Sequence, residues 1–297
     1  MAHQPIRRVV VATDFSEAAA RGVAWAAAIA RAHAAQLALV HSVEPPLPAA
    51  ELAAPPPPQV MADLLAAAQQ SLEKAAGRLA DLTVETHVIE GLAGSAVATF
   101  AEETGADLLV TGTRGKTGLS HLLLGSTAER LVQRAHCPVL AVHPGDAAPD
   151  HPPQTVLVPT DFSADAEIAF QAADRILHCF DGDATVVLLH VYDLHVEYGA
   201  YGTAAAYFEY SDEMATSLSA RLEELAASWR RPGLTIQIRL AQGIPSQTIV
   251  QEAQAVGADL IAMGTHGRSG FARLLLGSTA ERVVQRAPCP VLTVRRG

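Results

Sequence analysis

Cysteine is scarce, with three in 297 residues at positions 137, 179 and 289. The number is odd, the spacing is wide and no CxxC occurs, so neither a disulfide framework nor a zinc site is supported, and a reducing cytoplasm fits best. Positive charge is in the minority: 21 Lys+Arg stand against 31 Asp+Glu, a formal charge of −10. That balance argues against a protein that coats nucleic acid or anionic membrane through its overall field. Long hydrophobic runs are missing as well. The longest helical apolar stretch, Val23 to Ala30, is bracketed by Arg21 and Arg31, well short of the roughly 18 to 20 residues that span a bilayer. The opening Met1 to Arg8 lacks the apolar region and small-residue cleavage site of a secretory signal. What is abundant is apolar: 49% of residues, against 18% charged, so the chain is expected to fold rather than remain disordered. At about 150 residues per domain, its length is a prior for two domains.

The chain repeats itself. Val11-Ala-Thr-Asp-Phe-Ser16 returns 147 residues later as Val158-Pro-Thr-Asp-Phe-Ser163. The segment from Gly112 to Leu140 returns 152 residues later from Gly264 to Leu292, identical at all but eight of its 29 positions. The offset grows between these blocks, so the second copy carries a net insertion before the Gly91/Gly243 pair.

Each copy reads as alternating strands and helices. In the first, strands are expected at 8–12, 36–41, 83–90, 107–111 and 138–142. Helices are expected at 16–34, with Ser16 as N-cap, and at 61–82, 95–104 and 126–135. In the second, strands are expected at 156–159, 185–190, 234–240, 259–263 and 290–294, with helices at 163–180, 209–229, 246–256 and 278–287. Helix-length crossovers between short apolar strands imply two repeated open α/β units, each a parallel sheet with helices on both faces. The Pro-rich join from Pro144 to Pro153 should be extended and semi-rigid. It divides the chain into a first domain, 1–146, and a second, 147–297. The proline-rich 45–58 and tyrosine-rich 192–210 loops differ between copies. The first reads as a strand-to-helix loop stiffened by proline, or as a Pro-rich ligand for a partner domain.

The constellation that carries chemistry is Gly112-x2-Gly115-x9-Gly125-Ser126, repeated as Gly264-x2-Gly267-x9-Gly277-Ser278. Both follow a buried strand and open onto a helix. In an open α/β sheet, ligands sit beyond the carboxyl ends of strands, and a helix N-terminus there offers free N–H groups and a positive dipole end to phosphate. Glycines permit left-handed backbone and close approach, while Ser126, Thr127, Ser278 and Thr279 can donate hydroxyls to phosphate oxygens. The spacing is neither a Walker A loop nor GxGxxG. Arg114, Lys116, Arg130 and Arg134 against Glu129, and Arg268, Arg273, Arg282 and Arg286 against Glu281, give each segment a local excess of three positive charges. Arg134 and Arg286 serve equally well as complements to their helix C-termini. Asp14 and Asp161, after the first strand of each copy, can face the same crevice and hold a ribose hydroxyl or reach Mg²⁺ through water. The alternative is a turn aspartate that helps start the following helix.

These residues resemble the universal stress protein family in its tandem form. The features that carry the likeness are Thr-Asp-Phe-Ser after strand one, His41 and His190 closing strand two, the G-x2-G-x9-G-[ST] loop, and Cys-Pro-Val-Leu opening the last strand. The resemblance implies a five-stranded, Rossmann-like fold that binds adenine nucleotide, with domains paired through their last strands and further homodimerisation. It carries adenosine contacts to Ala12, Thr13, Asp14 and Ser42, and to Pro159, Thr160, Asp161 and Val191. Phosphates would lie on Gly112, Arg114, Gly115, Gly125, Ser126 and Thr127, and on Gly264, His266, Gly267, Gly277, Ser278 and Thr279. Ala12 and Ser42 depart from the commoner proline and valine.

The expectation is therefore a cytoplasmic stress-response protein that binds ATP, or ADP or AMP, in one or both domains, with Mg²⁺ as a candidate counter-ion, and acts as a regulatory module. No membrane or direct nucleic-acid partner is expected. Lys116, His121 and His266 lie near the loop, but no base, nucleophile or metal cluster can be assembled around it. No catalytic residue is assigned, and turnover beyond weak ATP hydrolysis is not expected. The alternatives are a slow ATPase or phosphotransferase, and a nucleotide-free interaction scaffold. Trp25 and Trp229 are assigned to core packing, and the cysteines to small buried hydrophobes.

Overall fold

Successive side chains along each strand point to opposite faces of the sheet, and this determines how the layers assemble. A computed structural model describes residues 5–44, 58–113, 124–147, 149, 153–178, 183–193, 204–265 and 276–295. The first copy contains β1 (Arg8–Ala12), α1 (Glu17–His33), β2 (Gln36–Val43), α2 (Pro58–Ala76), β3 (Val84–Glu90), α3 (Ala93–Glu103), β4 (Leu108–Gly112), α4 (Ser126–Arg134) and β5 (Val139–Val142). The second contains β6 (Thr155–Pro159), α5 (Ala164–Leu177), β7 (Ala184–Tyr192), α6 (Ala204–Trp229), β8 (Leu234–Gln242), α7 (Pro245–Val256), β9 (Leu260–Gly264), α8 (Ser278–Arg286) and β10 (Val291–Val294).

Val9 and Val11 point to one face of the sheet with Leu37, Leu39, Leu108 and Val110, and pack against Trp25 and Ile29 of α1 and Leu72 of α2. Val10 and Ala12 point to the other face, against Val97 and Ala101 of α3 and Leu131 and Val132 of α4. The second copy repeats this division, with α5 and α6 on the first face and α7 and α8 on the second. Strands buried on both faces read as unbroken apolar runs, which is why β1 is Arg-Val-Val-Val-Ala.

The strand order is β3-β2-β1-β4-β5-β10-β9-β6-β7-β8 in one ten-stranded sheet. Within each copy all pairings are parallel; β5 and β10 run antiparallel, with Leu140 opposite Leu292. Thr293 Oγ1 donates to the Val139 carbonyl at 3.2 Å across this seam. Arg295 donates to the Gln133 carbonyl of α4 at 2.6 Å, and His143 Nε2 lies 2.7 Å from the Val284 carbonyl of α8. A cationic or N–H group at a helix C-terminus satisfies its open carbonyls.

Several boundaries differ from the sequence expectation. α2 starts at Pro58 and gives way at Gly77 to a 3-10 turn through Leu79. Proline is tolerated in a first turn, and glycine weakens a helix interior. α6 starts at Ala204, five residues before the expected Glu209, because three consecutive alanines extend it. α5 ends at Leu177 rather than Phe180, with Cys179 and Phe180 outside the described residues. The join after β5 is not extended at its start. His143-Pro-Gly-Asp146 makes a turn closed by Asp146 N–H on the His143 carbonyl (3.1 Å), while the Asp146 carboxylate accepts from the His143 N–H (2.6 Å). Pro and Gly at its two central positions are turn residues before they are linker residues.

Trp25 is buried, with its Nε1 donating to the Ala147 carbonyl at 3.1 Å. Trp229 is buried and stacked on Phe170, centroids 3.9 Å apart. Cys289 is buried and Cys137 half-buried; burial raises both thiol pKa values, that of Cys137 to about 12, so neither is a thiolate near neutrality.

Candidate functional site

The turn after β1 is built by its own side chains. Thr13 N–H donates to the Val40 carbonyl at 2.9 Å, holding the chain beside β2 just past the end of β1. Thr13 Oγ1 then accepts from Phe15 N–H (3.1 Å), and Asp14 Oδ1 from Ser16 N–H (3.0 Å). Ser16 Oγ caps α1 by accepting from Ala19 N–H at 3.2 Å. The second copy repeats the first two bonds, through Thr160 Oγ1 to Phe162 N–H (2.9 Å) and Asp161 Oδ1 to Ser163 N–H (3.0 Å). Ser163 holds the N-cap position of α5 but makes no side-chain cap bond.

This turn forces an aromatic residue into left-handed backbone, with φ of 63° at Phe15 and 62° at Phe162. For a bulky side chain that conformation costs on the order of 1–2 kcal/mol and persists only where neighbours hold it. The strand-two histidines supply the hold. His41 Nδ1 donates to the Thr13 carbonyl at 2.7 Å, and its ring packs on Phe15 with centroids 4.7 Å apart. His190 does the same to Thr160 at 2.7 Å and Phe162 at 4.5 Å. These histidines brace the turn. The strands run beyond them, to Val43 and Tyr192 rather than ending at His41 and His190.

The strand order reverses between β1 and β4, and between β6 and β9, so a crevice opens beyond their carboxyl ends. The first crevice is a cavity of about 150 Å³ lined by Ala12, Thr13, Asp14, Ser42, Gly112, Gly125, Ser126 and Thr127. The second, of about 260 Å³, is lined by Pro159, Thr160, Asp161, Val191, Gly264, Gly277, Ser278 and Thr279. Arg114, Gly115, His266 and Gly267 lie outside the described residues, as do Lys116, His121, Arg268 and Arg273.

The crevice walls also include residues that motif reading missed. Ala93 and Val97 of α3, together with Thr111 and Ala19, line the first, and Pro245 and Ile249 of α7, together with Met263 and Ala166, line the second. The only sequence signal for these α3 and α7 residues is the Gly91/Gly243 pair just before them. Leu92 and Ile244, N-cap residues of the same helices, are 56% and 50% exposed beside the crevices.

Glycine at 112 is required by packing, not by backbone sign. A Cβ there would lie 3.1 Å from the backbone carbon and oxygen of Ala18, so the first turn of α1 sits directly on the end of β4. Gly125 and Gly277 have φ of −63° and −60°, so neither uses left-handed backbone; both are N-cap residues without side chains to cap α4 and α8. The first-turn N–H groups therefore face the crevice without a capping side chain from those positions. One residue beyond Gly112, Thr113 is 2% exposed, and its Oγ1 has no hydrogen-bond partner among the described residues. Arg134 reaches Ser95 Oγ at 3.3 Å, on α3. Among the described residues no group of three His, Cys, Asp or Glu could hold a metal ion, and no helix is long and apolar enough to cross a membrane.

Two successive α/β units, each with a crevice at its strand-order reversal, define a tandem Rossmann-like protein. The model of the universal stress protein family matches residues 5–143 and again 153–295, and the chain belongs to that family. A universal stress protein of Mycolicibacterium smegmatis is 31% identical over 302 residues, covering 97% of this chain and 96% of its own. One from Mycobacterium tuberculosis is 32% identical over 303 residues, covering 97% and 96%. The crystal structure of a universal stress protein from Archaeoglobus fulgidus superposes with a TM-score of 0.69 over 98% of both chains at 20% identity, which concerns the fold alone.

Proposed function

We propose that the chain binds adenine nucleotide, ATP foremost, in the crevices of its two domains, 1–146 and 147–297, and acts as a cytoplasmic regulatory module whose state depends on occupancy. The observation that carries this reading is the repeated convergence, on one cavity, of a strained Thr-Asp-Phe turn and a helix N-terminus lacking a capping side chain. Strain at a ligand-facing turn, maintained twice by a histidine brace, is costly unless the turn has something to hold. In this reading the Thr13–Asp14 and Thr160–Asp161 segments contact the nucleoside. Ser126, Thr127, Ser278 and Thr279 receive the phosphates with Arg114, Gly115, His266 and Gly267, and Mg²⁺ accompanies the phosphates. The two domains pair through their last strands, a role the antiparallel β5–β10 contact supports.

A ligand shifts a protein only by binding two of its states unequally. The regulatory reading therefore requires that the loop between β4 and α4 differ between empty and filled crevices. The test is an equilibrium titration of the full chain with ATP and AMP at controlled Mg²⁺. Saturable binding that Gly115→Val with Gly267→Val abolishes is the expected result. The reading fails if the wild-type chain binds no nucleotide at millimolar concentration.

A further inference from the structure

The two crevices share one backbone plan but differ at several of the side chains that line them. In the first copy, Ser42 Oγ donates to the Gly91 carbonyl at 2.6 Å. This ties the end of β2 to the turn before α3, in addition to the backbone bond that both copies make there (Gly91 to Val43 and Gly243 to Tyr192, 3.0 Å each). At the equivalent place in the second copy stands Val191, which cannot form the tie and instead presents an apolar surface to the crevice. Thr111 on β4 is matched by Met263 on β9, exchanging a hydroxyl for a long polarizable side chain. Ala93 at the start of α3 is matched by Pro245, a rigid apolar ring that needs no partner for an N–H. The first crevice encloses about 150 Å³ and the second about 260 Å³, although the second is lined by larger residues.

A nucleoside base is a flat body with apolar faces, and its burial is stabilised in proportion to the apolar surface it covers. The second crevice offers more room and more such surface, with Val191, Met263 and Pro245 standing where the first has Ser42, Thr111 and Ala93. We propose that the two crevices are functionally unequal: the second is the high-affinity nucleoside site, with Val191 and Met263 as its specificity-determining residues, and the first binds the same ligand at least about tenfold more weakly. This rests on the adenine-nucleotide reading above. Each methylene equivalent buried on the base corresponds to about a fourfold change in affinity, so two such exchanges account for a difference of that order.

The experiment is calorimetric titration of the full chain with adenosine, which isolates base and ribose from phosphate, and with Mg²⁺·ATP. The wild-type chain is expected to take up one equivalent tightly and a second at least about tenfold more weakly. Val191→Ser with Met263→Thr should remove the tight phase. Ser42→Val should strengthen the weak phase severalfold while leaving the tight one unchanged, a gain that misfolding cannot produce. Two phases of equal affinity in the wild-type chain, or a tight phase that survives Val191→Ser with Met263→Thr, would overturn the inequality. Absence of any binding by the wild-type chain would instead remove the nucleotide reading on which it stands.

Discussion

The imidazole of His190 donates from Nδ1 to the Thr160 carbonyl at 2.7 Å while its ring lies against Phe162, whose backbone is left-handed at φ 62°. The same relationship holds between His41 and Thr13. A buried hydrogen bond that leaves one partner unsatisfied when removed costs about 1–3 kcal/mol. His190→Ala should lower the free energy of urea unfolding by that amount and His41→Ala, whose bond is only part-buried, by about the lower end of it, each weakening ligand binding in the copy concerned. Unchanged unfolding midpoints would show that the turn stands without its brace.

The cap at α1 separates the two copies. Ser16 Oγ accepts from Ala19 N–H, whereas Ser163 makes no side-chain cap bond. Ser16→Ala should therefore cost about 1 kcal/mol, and Ser163→Ala no more than about 0.5 kcal/mol. Equal losses in chemical denaturation would contradict the assignment.

Gly112→Ala places a methyl 3.1 Å from the Ala18 backbone and 3.2 Å from the Ala19 nitrogen, which only a shift of α1 can relieve. Overpacking of this kind costs about 1–3 kcal/mol. Gly145→Ala meets nothing within 4 Å and needs no positive φ, so its effect should stay within about 0.5 kcal/mol. Thermal unfolding of the pair distinguishes a glycine required for close approach from one that only marks a turn.

Stability should fall on mild acidification because of His33. Its Nδ1 accepts from Ile6 N–H at 3.4 Å, and desolvation first, then the positive charge of Arg175, lower its pKa below the ordinary 6.5. The unfolded chain therefore takes up this proton at higher pH than the folded one. The stabilising contribution is complete above about 6.5 and is lost as pH falls from there through the lower folded value. His33→Gln should flatten the difference between unfolding free energies measured at pH 7.5 and pH 5. If wild type and variant show the same pH dependence, His33 is not responsible for it.

Much of this architecture is legible in the sequence because it rests on repetition and period. Apolar runs such as Val9-Val10-Val11 mark the buried inner strands, apolar–polar alternation marks the part-exposed edge strand β8, and Ser16 marks its helix start. Two copies at offsets of 147 and 152 residues mark the tandem plan. The parts that were not legible depend on residues without chemical signature brought together from a distance. Ala93 and Val97 are ordinary helix residues until the sheet places them opposite Asp14, some 80 positions earlier. Left-handed backbone at Phe15 contradicts the preference of the residue, and only the Thr13 and Asp14 side-chain bonds and the His41 brace make it tenable. The same limit explains why Gly112 reads as a phosphate-loop glycine although its immediate constraint is the backbone of α1. Pro144 and Gly145 read as a linker although a hydrogen bond to His143 closes them into a turn.

The most direct test of the central claim is a crystal structure of the full chain grown with Mg²⁺·ATP. The account predicts nucleotide density beyond the carboxyl ends of β6 and β9, with its phosphates against the N-terminus of α8 and its nucleoside beside Thr160 and Asp161. Density for the nucleotide anywhere other than the two crevices, or empty crevices at saturating ligand, would contradict it.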